Sequence, residues 1–171
     1  MTSAIGCLEN GGVICHQSPM ILLAFLVATL LTCGFALIRG GAPERLIALT
    51  FLLGAVASVL VSIHAKPTPG GFQLGIFCVD VLMLVAIGGV MLKADRYWPI
   101  AVAALQFLSV LGHLIKLLDP NVVTVLYWIT NAFWAVPQIV ILAIATVRHA
   151  HRARRPGGDP AWANPSRSTK D

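Results

Sequence analysis

The stretch QFLSVLGHLIKLLDP, residues 106–120, combines an oily composition with a polar stripe. Most of its residues are apolar, but Gln106, Ser109, His113 and Lys116 recur at offsets of three, four and three. On an α-helix of about 3.6 residues per turn, positions with these offsets lie along one face. The stretch therefore predicts a helix that is apolar on most sides and polar on one. A bilayer-crossing helix that buries its polar residues against other helices has this pattern.

The rest of the chain shares this composition. Apolar residues make up 57% of the 171 and charged residues 11%, against roughly 25% charged residues in soluble domains. The apolar residues form five blocks, each close to the ~20 residues that a helix needs to cross a bilayer. We predict an all-α, polytopic integral membrane protein with a bundle of five transmembrane helices, four or six being the alternatives. The predicted spans are 20–38, 46–63, 72–92, 99–118 and 122–147.

The basic residues predict the orientation of these spans. With five spans, one side of the membrane receives ten Lys and Arg residues and the other receives two, Lys66 and Lys116. Cytoplasmic loops carry the excess of Lys and Arg, so we expect the N-terminus outside and the C-terminus in the cytoplasm. Composition suggests a plasma membrane, specifically a bacterial inner membrane. The ten residues are Arg39, Arg45, Lys93, Arg96, Arg148, Arg152, Arg154, Arg155, Arg167 and Lys170.

The spans divide the chain into three parts. Residues 1–18 form a short extracytoplasmic segment without the basic region of a signal peptide, and a translation start at Met20 is an alternative. Residues 19–147 form the transmembrane domain. Residues 148–171 form a basic cytoplasmic tail, rich in Pro, Gly and Ser, that we expect to be disordered. The net charge of +5 then favours contact with anionic lipid at the tail over nucleic-acid binding.

Polar residues in three predicted helices fall at overlapping depths. At a rise of ~1.5 Å per residue, they lie roughly 8–18 Å from the outer surface. Polar groups at one depth on neighbouring helices avoid lipid best by facing one another. We therefore predict a polar intramembrane cluster of Asp80, His113, Asn131, Tyr127 and Gln106.

Within this cluster we predict a contact between Asp80 and His113, direct or through one water. An ionised Asp facing lipid near the bilayer centre costs ~2.5–3.5 kcal/mol on insertion scales, and His113 is the nearest residue in depth that can carry a positive charge. Hydrogen-bonded packing between helices, without further function, is the alternative interpretation. Lys116 is expected to extend outward and pair with Asp119 near the end of its helix.

Two further features concern packing. The second span carries Thr50, Gly54, Ser58 and Ser62 at steps of four, and small residues so spaced let two helices approach closely in lipid. This helix-packing face could serve the bundle itself, a second copy or another subunit. In the fifth span, Pro137 should produce a kink.

Two of the four cysteines are expected to be structural, and a disulfide between the other two, Cys7 and Cys15, is an open alternative if the N-terminus is outside. Cys33 and Cys78 lie within predicted spans, and no C-x-x-C pair of a zinc or redox site is present in the sequence. We interpret both as small apolar packing residues.

These features leave three functional hypotheses. The first is a non-catalytic accessory, assembly or scaffolding subunit, as a homo-oligomer or within a larger membrane complex. The second is a proton-linked small-solute carrier, acting as an oligomer, with Asp80 and His113 as the relay. The third is a protein that binds haem or another cofactor. Haem held by two histidines would need a second inward histidine at the depth of His113, but His64 lies at the outer end of the second span and His16 lies before the first span. Enzyme motifs such as H-E-x-x-H and G-x-S-x-G are missing from the sequence, so we expect no catalytic residues, metal or cofactor.

Overall fold

The computed structural model describes residues 19–64, 74–94, 96–118 and 124–153, and within these ranges it leaves out the side chains of 19, 21, 22 and 124–132. All regular structure in the described ranges is α-helical, so the all-α prediction is confirmed there. The five helices are α1 (Pro19–Arg39), α2 (Ala42–His64), α3 (Leu74–Lys93), α4 (Trp98–Leu118) and α5 (Thr124–Arg152).

Four of these helices are long and apolar enough to cross a membrane. They are α2, α3, α4 and the part of α5 from Phe133 to Arg152. The apolar stretch Leu23–Arg39 of α1 is shorter. Large apolar side chains cover the outside of the bundle, and Leu92, for example, is 82% exposed. Such a surface would be costly in water and is suited to lipid, which agrees with a multi-pass membrane protein.

The helices begin and end near the predicted positions, with two exceptions. Helix α2 begins at Ala42, four residues before the predicted start, because Pro43 and Glu44 suit a first helical turn. Helix α5 continues to Arg152, so the first five residues of the predicted disordered tail are helical. Basic residues in its last turn interact favourably with the negative end of the helix dipole. The remaining tail lies outside the described residues.

The helices form a closed ring. Each helix contacts the next in sequence, α5 returns to contact α1, and α2 also contacts α5. Only Gly40 and Gly41 separate α1 from α2, so these helices are antiparallel neighbours. The Gly40 N–H donates to the Ala36 carbonyl at 2.8 Å, and Nε of Arg45 donates to the Gly40 carbonyl at 3.0 Å. A Cβ on Gly40 would collide with the Ala36 carbonyl, which is why this tight turn requires glycine.

The apolar core fills the end of the bundle that carries the Gly40–Gly41 turn. Its buried members come from all five helices, and Cys33 is among them whereas Cys78 is exposed. The central cavity described below lies towards the opposite end of the ring. The core residues are Cys33, Ala36, Ile47, Ala48, Phe51, Ile87, Val90, Val102, Ala103 and Leu142.

The residues of the predicted packing face of α2 lie in different environments. Gly54 is buried and lies against the Met83 side chain of α3. Thr50 and Ser62 donate their hydroxyls to carbonyls of their own helix, and Ser62 is exposed. Close helix approach is therefore visible at Gly54. Pro137 lies inside α5 with helix on both sides, and the kink stays a prediction.

Candidate functional site

The polar stripe of α4 is its buried face. Gln106, Ser109, His113 and Lys116 are all buried, whereas apolar side chains such as Phe107 cover the outward faces. This arrangement reverses that of a soluble amphipathic helix because the surroundings are apolar. The stripe turns towards α3, on which Asp80 lies two turns from the helix start.

The Asp80 carboxylate accepts hydrogen bonds from three of the α4 side chains. Its Oδ2 lies 2.8 Å from Nε2 of His113 and accepts from Oγ of Ser109 at 3.1 Å. Its Oδ1 accepts from Nε2 of Gln106 at 3.2 Å. The same Gln106 nitrogen also donates to the Asp80 backbone carbonyl at 3.2 Å. The direct Asp80–His113 contact expected from sequence is therefore present.

Among the described residues, these bonds leave one acceptor position of Asp80 without a donor. An ionised carboxylate has about four acceptor positions, and the three side chains occupy two on Oδ2 and one on Oδ1. The His113 side chain is 2% exposed and that of Asp80 is 17% exposed. The carboxylate is thus the member of the pair that an incoming group can reach.

Asp80 and His113 line a central cavity of about 210 Å³ that all five helices enclose and that is partly open. Among its described lining residues, Asp80 and His113 are the ionisable ones. Lys116 lies one turn beyond His113 on the same α4 face and is the nearest further charge on that helix. The other polar lining residues are Thr29, Ser58, Gln106, Ser109 and Gln138, and the aromatic ones are Phe25 and Phe51.

The structure describes the other residues predicted near this site only in part. Tyr127 and Asn131 are positions of α5 whose side chains lie outside the description. The expected outward extension of Lys116 is wrong, because its side chain is 2% exposed. Its predicted partner Asp119 lies outside the described residues. Gln138, further along α5, is buried and reaches the cavity.

Sequence reasoning missed one buried carboxylate. Glu44 is fully buried in the first turn of α2, and neither of its oxygens has a hydrogen-bond partner among the described residues. A Cβ on Gly41 would lie 2.9 Å from both Oε2 of Glu44 and Cε1 of His149, so the two side chains are neighbours. Sequence placed Glu44 in a loop and His149 in the tail. The sequence feature that could have placed Glu44 in a helix is the Gly-Gly-Ala-Pro-Glu run, which is typical of a turn followed by a helix start.

The histidines do not form a facing pair in the described residues. His64 is exposed at the end of α2, and its Nδ1 lies 2.8 Å from the Leu60 carbonyl. His113 is held by Asp80 through Nε2, and His16 lies outside the described residues. Two histidines on opposite sides of a haem would need a different placement.

Comparison with protein-family models, curated proteins and solved structures finds no match for this chain.

Proposed function

We propose that this protein is a proton-linked carrier for small organic cations. It would cross a bacterial plasma membrane five times, with the N-terminus outside and the C-terminus in the cytoplasm, and act as an oligomer. The observation that carries the proposal is the Asp80 carboxylate. It lines a cavity of about 210 Å³, has one acceptor position without a donor among the described residues, and has a histidine 2.8 Å away.

The chemistry of the cavity suits a cation. A carboxylate in surroundings of low dielectric constant attracts a positive charge strongly. Ser109 and Gln106 donate hydrogen bonds to the carboxylate and hold it in place at the cavity wall. The rings of Phe25 and Phe51 in the cavity wall offer further attraction, because aromatic faces bind ammonium groups. An organic ammonium ion therefore finds both charge and apolar contact here.

The Asp80–His113 pair can link cation binding to proton release. With His113 protonated, the pair is neutral overall. An ammonium ion that then binds Asp80 would stand close to the imidazolium, and two like charges 4 Å apart repel by about 4 kcal/mol at an effective dielectric constant of 20. Loss of the His113 proton relieves this repulsion. The site then holds either the proton or the cation, which is the exchange that an antiporter requires.

The apolar core supports access from one side at a time. The buried side chains packed around Ile47, Ile87 and Leu142 fill the end of the bundle that carries the Gly40–Gly41 turn. No ion can cross such a region without a conformational change. A carrier that alternates between two open states needs one closed side in each state.

Transport of tetramethylammonium by reconstituted protein tests the proposal. This ion is permanently charged and crosses lipid slowly by itself, and its uptake into proteoliposomes can be driven by an acidic lumen. We expect Asp80→Asn to abolish uptake and Ser109→Ala to reduce it. Ser62→Ala is the matched control, because Ser62 is exposed and outside the cavity. Equal uptake by the wild type and Asp80→Asn would overturn the carrier proposal.

An accessory or scaffolding subunit is the second candidate. It is favoured by a notch on the outer surface between α2 and α3, of about 230 Å³, into which a helix of another chain could fit. The molar mass of the protein purified in mild detergent tests this role. A stable complex with one other chain at fixed stoichiometry would favour it, and a monomer would count against it.

A further inference from the structure

We propose that the cation carried by this protein is an amphiphile that reaches Asp80 sideways from the bilayer. Its ammonium head would occupy the central cavity, and its apolar chain would lie in the α2–α3 groove, the surface notch lined by Thr50, Leu53, Gly54, Ala57, Val79, Leu82, Met83 and Ala86. This inference rests on the proposed function and narrows its substrate class.

The groove and the cavity share one wall. Gly54 and Met83 line both, and no other described residue does. On α3, Asp80 faces the cavity, Ala86 faces the groove and Met83 lies between them. Gly54 has no side chain, so the side chain of Met83 separates the polar cavity from the lipid side at this point.

The side chain that forms this wall, Met83, is flexible. The Met83 thioether packs directly on Gly54, and a Cβ at position 54 would collide with its sulfur. Methionine is unbranched and flexible and changes conformation at low cost. Met83 follows Asp80 by three residues, about 4.5 Å along the helix axis. A rotation of one side chain could therefore open a short path from the groove to the carboxylate.

The groove is chemically suited to an alkyl chain. Its lining is apolar except for Thr50, whose hydroxyl donates to the Leu46 carbonyl at 2.9 Å and so needs no partner from an occupant. Its lining spans eight residues, or seven helical steps, on each helix, from Thr50 to Ala57 and from Val79 to Ala86. At ~1.5 Å per residue this gives a length of about 10 Å.

The volumes agree with a two-part site. The cavity and the groove measure about 210 and 230 Å³. Each falls below the range of roughly 300–1,000 Å³ that is usual for small-molecule pockets, and the two together reach it. A molecule with a cationic head and a medium-length chain would use both compartments and leave neither exposed.

Photolabelling of the full chain in lipid nanodiscs tests this inference. The probe is decyltrimethylammonium with a photoreactive diazirine at the end of its chain, and labelled residues are located by mass spectrometry. We expect labels within residues 50–57 and 79–86, lowered by excess tetramethylammonium, which competes for the head position. Ala86→Phe fills the groove and should lower labelling roughly tenfold, the equivalent of about two methylene groups left unburied.

Val85→Phe is the matched control, because Val85 is exposed to lipid and lines neither compartment. Its labelling should match the wild type. Labels spread evenly over all lipid-facing helices, or no effect of Ala86→Phe, would overturn the inference, as would cross-links showing a second copy seated in the groove. If tetramethylammonium is still transported in those cases, lateral access fails and the carrier proposal stands. If tetramethylammonium neither binds nor is transported, both fail.

Discussion

Replacing Asp80 by Asn should separate cation binding from folding. Asparagine keeps one acceptor oxygen, which at the position of Oδ2 can still accept from Ser109 and His113. Gln106 can rotate its amide and accept from the new NH₂ group, which costs its bond to the Asp80 backbone carbonyl, so most of the hydrogen-bond network survives. Interhelical polar contacts in membranes are worth ~0.6 kcal/mol on average. We therefore expect a loss in folding stability of about 1 kcal/mol.

The expected loss in binding is far larger. A carboxylate and an ammonium ion 4 Å apart attract by about 4 kcal/mol at an effective dielectric constant of 20, which corresponds to roughly 1,000-fold in affinity at about 1.4 kcal/mol per tenfold. The Asp80 side chain keeps 17% exposure, and solvent screening reduces this figure. We expect tetramethylammonium to bind about 100-fold more weakly to Asp80→Asn than to the wild type.

Titration calorimetry in two buffers with different ionisation enthalpies measures both the affinity for the cation and the proton release that accompanies its binding. The affinity gives the effect of the charge, and the buffer dependence gives the number of protons released per cation bound. The wild type should release protons from His113. His113→Gln, whose amide can still donate to Asp80, should bind the cation without releasing any.

The result that would refute this reasoning is an Asp80→Asn protein that melts like the wild type and binds tetramethylammonium equally well. Binding by the wild type without proton release would preserve a cation site but remove the exchange mechanism. Ser62→Ala serves as the control for purification and detergent, because its hydroxyl donates only to its own helix.

Three further substitutions, two of them paired with a control substitution, test the packing of the bundle. Each is measured by thermal unfolding in detergent. Leu142→Ala empties a fully buried position and should cost roughly 2–4 kcal/mol. Leu92→Ala, at an exposed position, should cost little, and equal losses would contradict the assigned core. Glu44→Met removes a buried carboxylate whose oxygens have no hydrogen-bond partner among the described residues and should raise the free energy of unfolding by about 1–3 kcal/mol. A lower melting temperature would contradict this expectation. Gly40→Ala should destabilise the turn, whereas Gly89→Ala, with open space around it, should be neutral or slightly stabilising.

Much of the fold could be predicted from sequence because its signals are local. The length of each apolar block and the prolines and glycines between blocks place the helices to within a few residues. The spacing of Gln106, Ser109 and His113 identifies the inward face of α4, since 3.6-residue periodicity holds within any helix. The depth of Asp80 then suggests His113 as its partner, and the two are in contact.

The same reasoning failed where the position of a residue depends on neighbouring helices. Lys116 was expected to reach the surface because it lies near a helix end, yet it is buried. Glu44 was passed over because it stands outside the apolar block, yet the turn at Gly40 carries it into the interior. Burial at helix ends depends on which segments fold over them, and that information is not local.

The sequence by itself determined the helices, their order and the polar face of α4, because hydrophobicity and helical periodicity act within one segment. Only the tertiary structure decided that Asp80 gathers three donors from α4, that a cavity remains beside it, and that Met83 divides this cavity from the lipid-facing groove. Those features depend on the rotation and spacing of helices relative to one another. Interdigitation of side chains from distant parts of the chain sets that geometry.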